Sequence, residues 1–136
     1  MSKLLGWDPV YSVHIQRFDA QHKRLFDLIN ALNEGMETDQ SHRELANALN
    51  DLVEYVSTHF ADEESAMQKF GYTALAEHHA EHVQLARHVV EFKKRFDARK
   101  AFISSELMGF LQAWFKQHIL RSDKAYAMYL TAQGVR

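Results

Sequence analysis

Nine histidines and no cysteine occur in this chain of 136 residues. Five of those histidines, His22, His59, His78, His82 and His118, fall with Glu63 where the helical pattern reserves slots for apolar side chains. Asp123 follows His118 closely enough to join them. Burying imidazoles and carboxylates without partners costs several kcal/mol each, so something inside the molecule must compensate them. Five neutral imidazoles and two carboxylates form a nitrogen and oxygen donor set. Such a set suits iron, zinc, copper or manganese better than Ca²⁺ or Mg²⁺. Seven donors are too many for one tetrahedral ion but suit a pair of ions. If both carboxylates and an oxide or hydroxide bridge two six-coordinate ions, one coordination position stays open, on the ion with fewer histidines. The absence of cysteine rules out disulfides, iron–sulfur clusters and thiolate zinc sites.

Four amphipathic helices are needed to position these groups. Phe18, His22, Leu25, Ile29, Leu32 and Met36 recur at alternating spacings of four and three. So do Leu45, Leu49, Leu52, Val56, His59, Glu63 and Ala66, then Leu75, His78, His82, Leu85, Val89, Phe92 and Phe96. Leu107, Leu111, Trp114 and His118 begin the fourth stripe. This is the inward face of a bundle helix. The breaks between stripes are short, with Ser41, Thr73 and Ser104 or Ser105 as candidate N-caps. Short links make neighbouring helices antiparallel, which predicts an all-α, up-down-up-down four-helix bundle. In that topology the polar residues of all four helices converge at one depth. Asp123 lies five residues past His118, about 140° away on a regular helix. Asp123, Tyr126 and Leu130 nevertheless resume a stripe shifted by one residue. A local π-bulge would produce that slip; a long-reaching aspartate is the simpler alternative.

The rest of the sequence sets bounds. One domain spans 1–136, with a non-helical arm over about residues 1–17 anchored by Trp7, Tyr11 and Ile15. A net charge of -2 gives no general attraction to nucleic acid or anionic membrane. The N-terminal stretch "MSKLLGWDPVYS" lacks the apolar core of a signal peptide, and no segment has the length of a membrane span. A cytoplasmic monomer is expected.

His22 in "DAQH", His59 and Glu63 in "HFADE", His78 and His82 in "HHAEH", and His118 and Asp123 in "HILRSD" resemble the hemerythrin ligand pattern in order and spacing. The resemblance runs from the "WDPVYSV" arm to "DKAYAMYL" and looks like the stand-alone bacterial branch of that family. It implies two iron ions bridged by oxide or hydroxide and by Glu63 and Asp123. His78, His82 and His118 would hold the saturated iron, and His22 and His59 the open one. It also implies reversible O₂ binding, for storage, transport or delivery to an O₂-consuming enzyme. Leu25, Phe60, Trp114, Phe115 and Ile119 match the family's pocket positions, and on residue type alone they are equally well simply core. Relatives commonly carry Gly where this chain has His14, and a Pro after the position of Tyr72. His14 is read as a surface residue, with an approach to the site as the alternative.

The remaining candidates have plainer readings. His79 is turned about 100° from His78 and faces solvent. His42 fits the first turn of a helix, and His88 lies off the inward stripe. Asp19 is read as the N-cap of the first helix, with an outer hydrogen-bond partner of the ligands as the alternative, and Asp62 and Glu64 as solvated neighbours of Glu63. The rival classes fit less well. A ferritin-like di-iron enzyme would need Glu-x-x-His pairs, and the chain contains none. A zinc hydrolase would need His-Glu-x-x-His, which "AEHHAEH" does not contain. A di-iron oxidase or peroxidase and a sensor acting through a partner remain alternatives to a non-enzymatic O₂ carrier.

Overall fold

A computed structural model describes residues 3–136, which are helical with no strand among them. The long elements are α1 (Gln16–Glu37), α2 (His42–Lys69), α3 (Leu75–Asp97) and α4 (Ser105–His118). The last continues without a break through a π-helical turn, Ile119–Asp123, into α5 (Lys124–Ala132). α1 packs on α2 and on α4, and α2 packs on α3. This is the expected antiparallel bundle, with α4, the π turn and α5 as its fourth rod.

Two of the three expected caps form. The Ser41 hydroxyl accepts from the Glu44 amide at 3.1 Å, and the Ser104 hydroxyl accepts from the Leu107 amide at 3.2 Å. Thr73 does not cap. α3 starts at Leu75, with Ala74 at the N-cap and no side-chain bond there. The preceding turn instead satisfies itself through backbone, with the Leu75 amide on the Tyr72 carbonyl and the Tyr72 amide on the Met67 carbonyl.

The arm differs from expectation in two respects. Pro9–Tyr11 form one 3-10 turn capped by Asp8, and α1 begins at Gln16, slightly earlier than read. Tyr11 and Ile15 are buried and Trp7 is half-buried, as the anchoring reading required. Asn30 holds the arm further by exchanging hydrogen bonds of 2.8 and 2.7 Å with the Leu5 backbone. Asp19 is not the N-cap; Ile15 occupies that position. One turn inside the helix, its carboxylate instead accepts from the Ser12 hydroxyl and the Val13 amide, at 2.6 and 2.8 Å. It pins the arm to α1 and makes no hydrogen bond to the histidines.

Two apolar clusters fill the interior. The larger includes Leu25, Ile29, Leu32, Leu49, Leu52 and Phe115. The smaller contains Val13, Ile15, Phe18, Met67, Tyr126 and Leu130. Along the chain the ligand candidates sit where one cluster gives way to the other: His22 between Phe18 and Leu25, Glu63 between Phe60 and Met67, Asp123 between Ile119 and Tyr126. His42 lies in the first turn of α2, stacked on Phe96 with its Nε2 2.9 Å from the Phe96 carbonyl. His88 is exposed and stacks on Phe110.

Candidate metal centre

All seven polar residues singled out from the sequence are buried, none more than 4% exposed. α1 supplies His22, α2 His59 and Glu63, α3 His78 and His82, α4 His118, and the π turn Asp123. The wide turn is what the register shift predicted. Its extra residue swings Asp123 back to the side of His118, whose Nε2 lies 3.0 Å from Asp123 Oδ1.

The donor atoms sort into two overlapping groups. Glu63, His78, His82, His118 and Asp123 face one point, and His22, His59, Glu63 and Asp123 face another. Both carboxylates belong to both groups. Asp123 divides cleanly: Oδ1 lies 3.1 Å from His78 Nε2, and Oδ2 lies 3.0 Å from His22 Nε2. Glu63 Oε1 sits between the groups, 3.2 Å from His59 Nε2 and 3.4 Å from His82 Nε2.

Outer partners set the tautomers of three rings. His82 Nδ1 donates to Glu64 Oε2 at 2.7 Å, His118 Nδ1 to Glu81 Oε1 at 3.2 Å, and His59 Nδ1 to Gln21 Oε1 at 2.5 Å. A carboxylate or amide oxygen only accepts, so each Nδ1 carries a proton and Nε2 is the ring atom turned inward. His82 Nε2 and His118 Nε2 face each other at 3.2 Å.

The orphaned atoms point the same way. His22 Nδ1 and Nε2, His78 Nε2, Glu63 Oε1 and both Asp123 oxygens are buried without hydrogen-bond partners. Such atoms are rare in folded proteins and call for an ion or its equivalent. Five of the six are donor atoms turned toward the two points, and their chemistry fits a pair of bridged transition-metal ions.

Without a cation, the centre holds protons instead. Burial opposes charging of His22, but the close carboxylates of Asp123 and Glu63 outweigh it and raise its pKa to about 10. Burial also opposes ionisation of Glu63, yet the neighbouring imidazoles of His59, His22 and His82 hold it well below the usual carboxylate range. Asp123 is lowered as well, with His118 and His22 overcoming burial and the adjacent Glu63 charge.

Several contributors escaped the sequence reading. Glu64 and Asp62 are not merely solvated. Glu64 spans His82 and the exposed His79, whose Nδ1 lies 2.6 Å from it. Asp62 accepts from Gln21 Nε2 at 2.8 Å and pairs with Arg17 at 2.8 Å, which orients the Gln21 oxygen toward His59. Ser122 donates to both oxygens of Glu81, at 2.8 and 2.9 Å. The Tyr126 hydroxyl donates to Glu63 Oε2. Burial, together with the Glu63 charge, pushes that phenol well above its ordinary pKa and keeps it a donor. The one available sequence signal was adjacency: Gln21, Glu64 and Glu81 each neighbour a candidate ligand.

Of the residues expected to line a pocket, Phe60 and Trp114 lie against the rings. Leu25 and Ile119 are fully buried, Phe115 and Phe60 nearly so, and Trp114 is half-buried. Phe60 stacks on His82 with ring centroids 3.7 Å apart, and Trp114 stacks on His118 at 4.4 Å.

Comparison with known proteins identifies the family. The hemerythrin HHE cation binding domain matches residues 13–130. A bacteriohemerythrin of Methylococcus capsulatus is 34% identical over 130 residues, covering 95% of this chain and 98% of that protein. One of Pseudomonas paraeruginosa is 34% identical over 122 residues, covering 90% of this chain and 78% of its own. A crystal structure of wild-type hemerythrin superposes with a TM-score of 0.87 at 34% identity, over 91% of this chain and 95% of that one. On the family match, the identity along nearly the whole length and the shared bundle, this chain belongs to the hemerythrin family.

Proposed function

We propose that the centre holds two iron ions and binds O₂ reversibly, as a carrier that stores or delivers O₂ rather than an enzyme. In this reading His78, His82 and His118 would hold one iron, His22 and His59 the other, and Glu63 and Asp123 would serve both. The observation that carries it is the unequal division of donors into groups that share both carboxylates. The group with His22 and His59 has one histidine fewer and so would leave room for an exogenous ligand. When bound, the iron pair supplies the electrons that O₂ binding draws on.

The protein's own residues orient and exclude. Gln21, Glu64 and Glu81 fix the rings, Tyr126 fixes Glu63, and no free acid or base is required. Leu25, Phe60, Trp114, Phe115 and Ile119 form the apolar wall that keeps water and anions from the open position. An O₂-consuming enzyme is the natural recipient.

The test is metal content with the visible spectrum, with and without O₂, on wild type and Ile119→Ala. Two irons per chain and a reversible O₂-dependent band are expected in the wild type. A single zinc from iron-replete expression would overturn the reading. Ile119 adjoins His118, and its truncation leaves a cavity that relaxation only partly refills. The variant should retain two irons, bind small anions faster and autoxidise faster. Unchanged autoxidation would remove Ile119 from the pocket, and rapid steady-state O₂ consumption by the wild type would favour an oxidase instead.

A further inference from the structure

The five imidazoles of the centre are not supported alike. Around the position of His78, His82 and His118, two rings are backed by carboxylates: His82 by Glu64 at 2.7 Å and His118 by Glu81 at 3.2 Å. Around the position of His22 and His59, no ring is. His59 is backed by the neutral amide oxygen of Gln21 at 2.5 Å, and His22 Nδ1 is buried with no partner. A carboxylate accepting from Nδ1–H shifts electron density onto the ring and makes Nε2 a stronger donor to a metal, while an amide does so less. Both backing carboxylates are themselves held. His79 Nδ1 lies 2.6 Å from Glu64, and the Ser122 hydroxyl donates to Glu81.

Resting on the di-iron reading above, we propose that Glu64 and Glu81 are positioning residues that make the two metal positions electronically unequal. They enrich the three-histidine position in negative charge, which favours the ferric ion there. The two-histidine position is thereby the more easily reduced. An external one-electron reductant would therefore reduce the ion held by His22 and His59 first. Ligand number alone biases the pair in the same direction, so the contribution of the carboxylates has to be isolated by removing charge while keeping shape.

Glu64→Gln and Glu81→Gln do this, since glutamine retains an oxygen that can accept from the ring. Gln21→Glu makes the opposite change, placing a carboxylate behind His59. The experiment measures iron content first, then the reduction potential by spectroelectrochemical titration, then the Mössbauer spectrum of the one-electron-reduced form. Wild type and all three variants should carry two irons. In both glutamine variants the potential of the three-histidine position, read from the second reduction step, should rise, and the valences of the one-electron-reduced form should be less sharply localised. In Gln21→Glu the potential should fall, and the valences should be less sharply localised. Unmoved potentials in both glutamine variants at full iron content would overturn the inference. So would a shift of all three variants in the same sense. Loss of iron from both glutamine variants would also overturn it, because Glu64 and Glu81 would then be props for the ligands rather than tuning groups. Failure of the wild type to hold two irons would instead overturn the di-iron reading itself, so the two failures are distinguishable.

Discussion

The larger apolar cluster and the polar layer beside it are built from the same four helices by opposite rules. In the cluster, Leu25, Ile29 and Leu32 of α1 meet Leu49 and Leu52 of α2 with no polar atom to satisfy. In the layer, a few residues further along the same stripes, all six orphaned buried side-chain atoms found among the described residues are concentrated. The first region stabilises the fold by removing apolar surface from water. The second costs stability until a cation satisfies it. The stability of this bundle is therefore divided, with one part intrinsic and the other conditional on metal.

The largest expected effect breaks the comparison at its conditional side. Ligand binding to the folded state alone stabilises it by about 4 kcal/mol when free ligand exceeds Kd a thousandfold. Chelation should lower the melting temperature accordingly. Lost hydrogen-exchange protection should concentrate around residues 59–63, 78–82 and 118–123 and spare the Leu25–Leu32 segment. Leu49→Ala should destabilise loaded and metal-free protein alike, by about 2–5 kcal/mol. Paired thermal melts decide this. A Leu49→Ala penalty that changes greatly with metal, or protection lost evenly along the helices, would mean the two regions are not separable.

A smaller effect sharpens the comparison through pH. In the metal-free protein the folded pKa of His22 is about 10 against an ordinary 6.5. Below pH 6.5 the ring is protonated whether folded or not, and the ion pairs with Glu63 and Asp123 contribute fully. Between pH 6.5 and about 10 the folded state keeps a proton that the unfolded chain has lost. Stability therefore falls with rising pH, by at most about 1.4 kcal/mol per unit for one such group. In the loaded protein the ion replaces that proton, so the decline over this window should vanish. Metal affinity should rise with pH across it, because each binding event must displace the proton. Urea titrations of both forms between pH 6.5 and 9.5 measure the contrast. A parallel decline in both forms would show that His22 is not where the metal binds.

How much of this was legible in the sequence follows the same division. Helix stripes register apolar side chains well, and a polar residue in such a stripe stands out by contrast, which is how His22, His59, Glu63, His78, His82 and His118 were found. Asp123 was legible only through the register slip that the π turn now explains. Residues that act from the flank gave no contrast. Glu64 and Glu81 lie on half-exposed helix faces, where a charged residue is the default, and Gln21 does too. Their roles depend on which neighbouring helix lies within reach, and one sequence does not reveal that. Tyr126 was read as part of the resumed stripe, but its hydroxyl bond to Glu63 crosses 63 residues of chain. Asp19 misled because an aspartate near a helix start is usually a cap; here the cap position fell on Ile15 because α1 begins earlier.

The smallest expected effect concerns the arm, which covers the smaller cluster through Val13 and Ile15. Between these two buried residues stands His14, exposed, with φ of 60°. A non-glycine residue in that conformation costs about 1–2 kcal/mol relative to its preferred regions, and glycine avoids the clash. Glycine also gains more freedom in the unfolded chain, which takes back roughly 0.5–1 kcal/mol. The His14 side chain makes no hydrogen bond that would be lost, and its amide would still donate to the Ser12 hydroxyl at 3.1 Å. His14→Gly should thus stabilise the protein by about 0.5 kcal/mol, in metal-free and loaded forms equally, with iron content unchanged. Denaturant unfolding of the variant checks it: a loss of stability would mean the imidazole holds the turn, and a change in iron content would connect the arm to the metal centre after all.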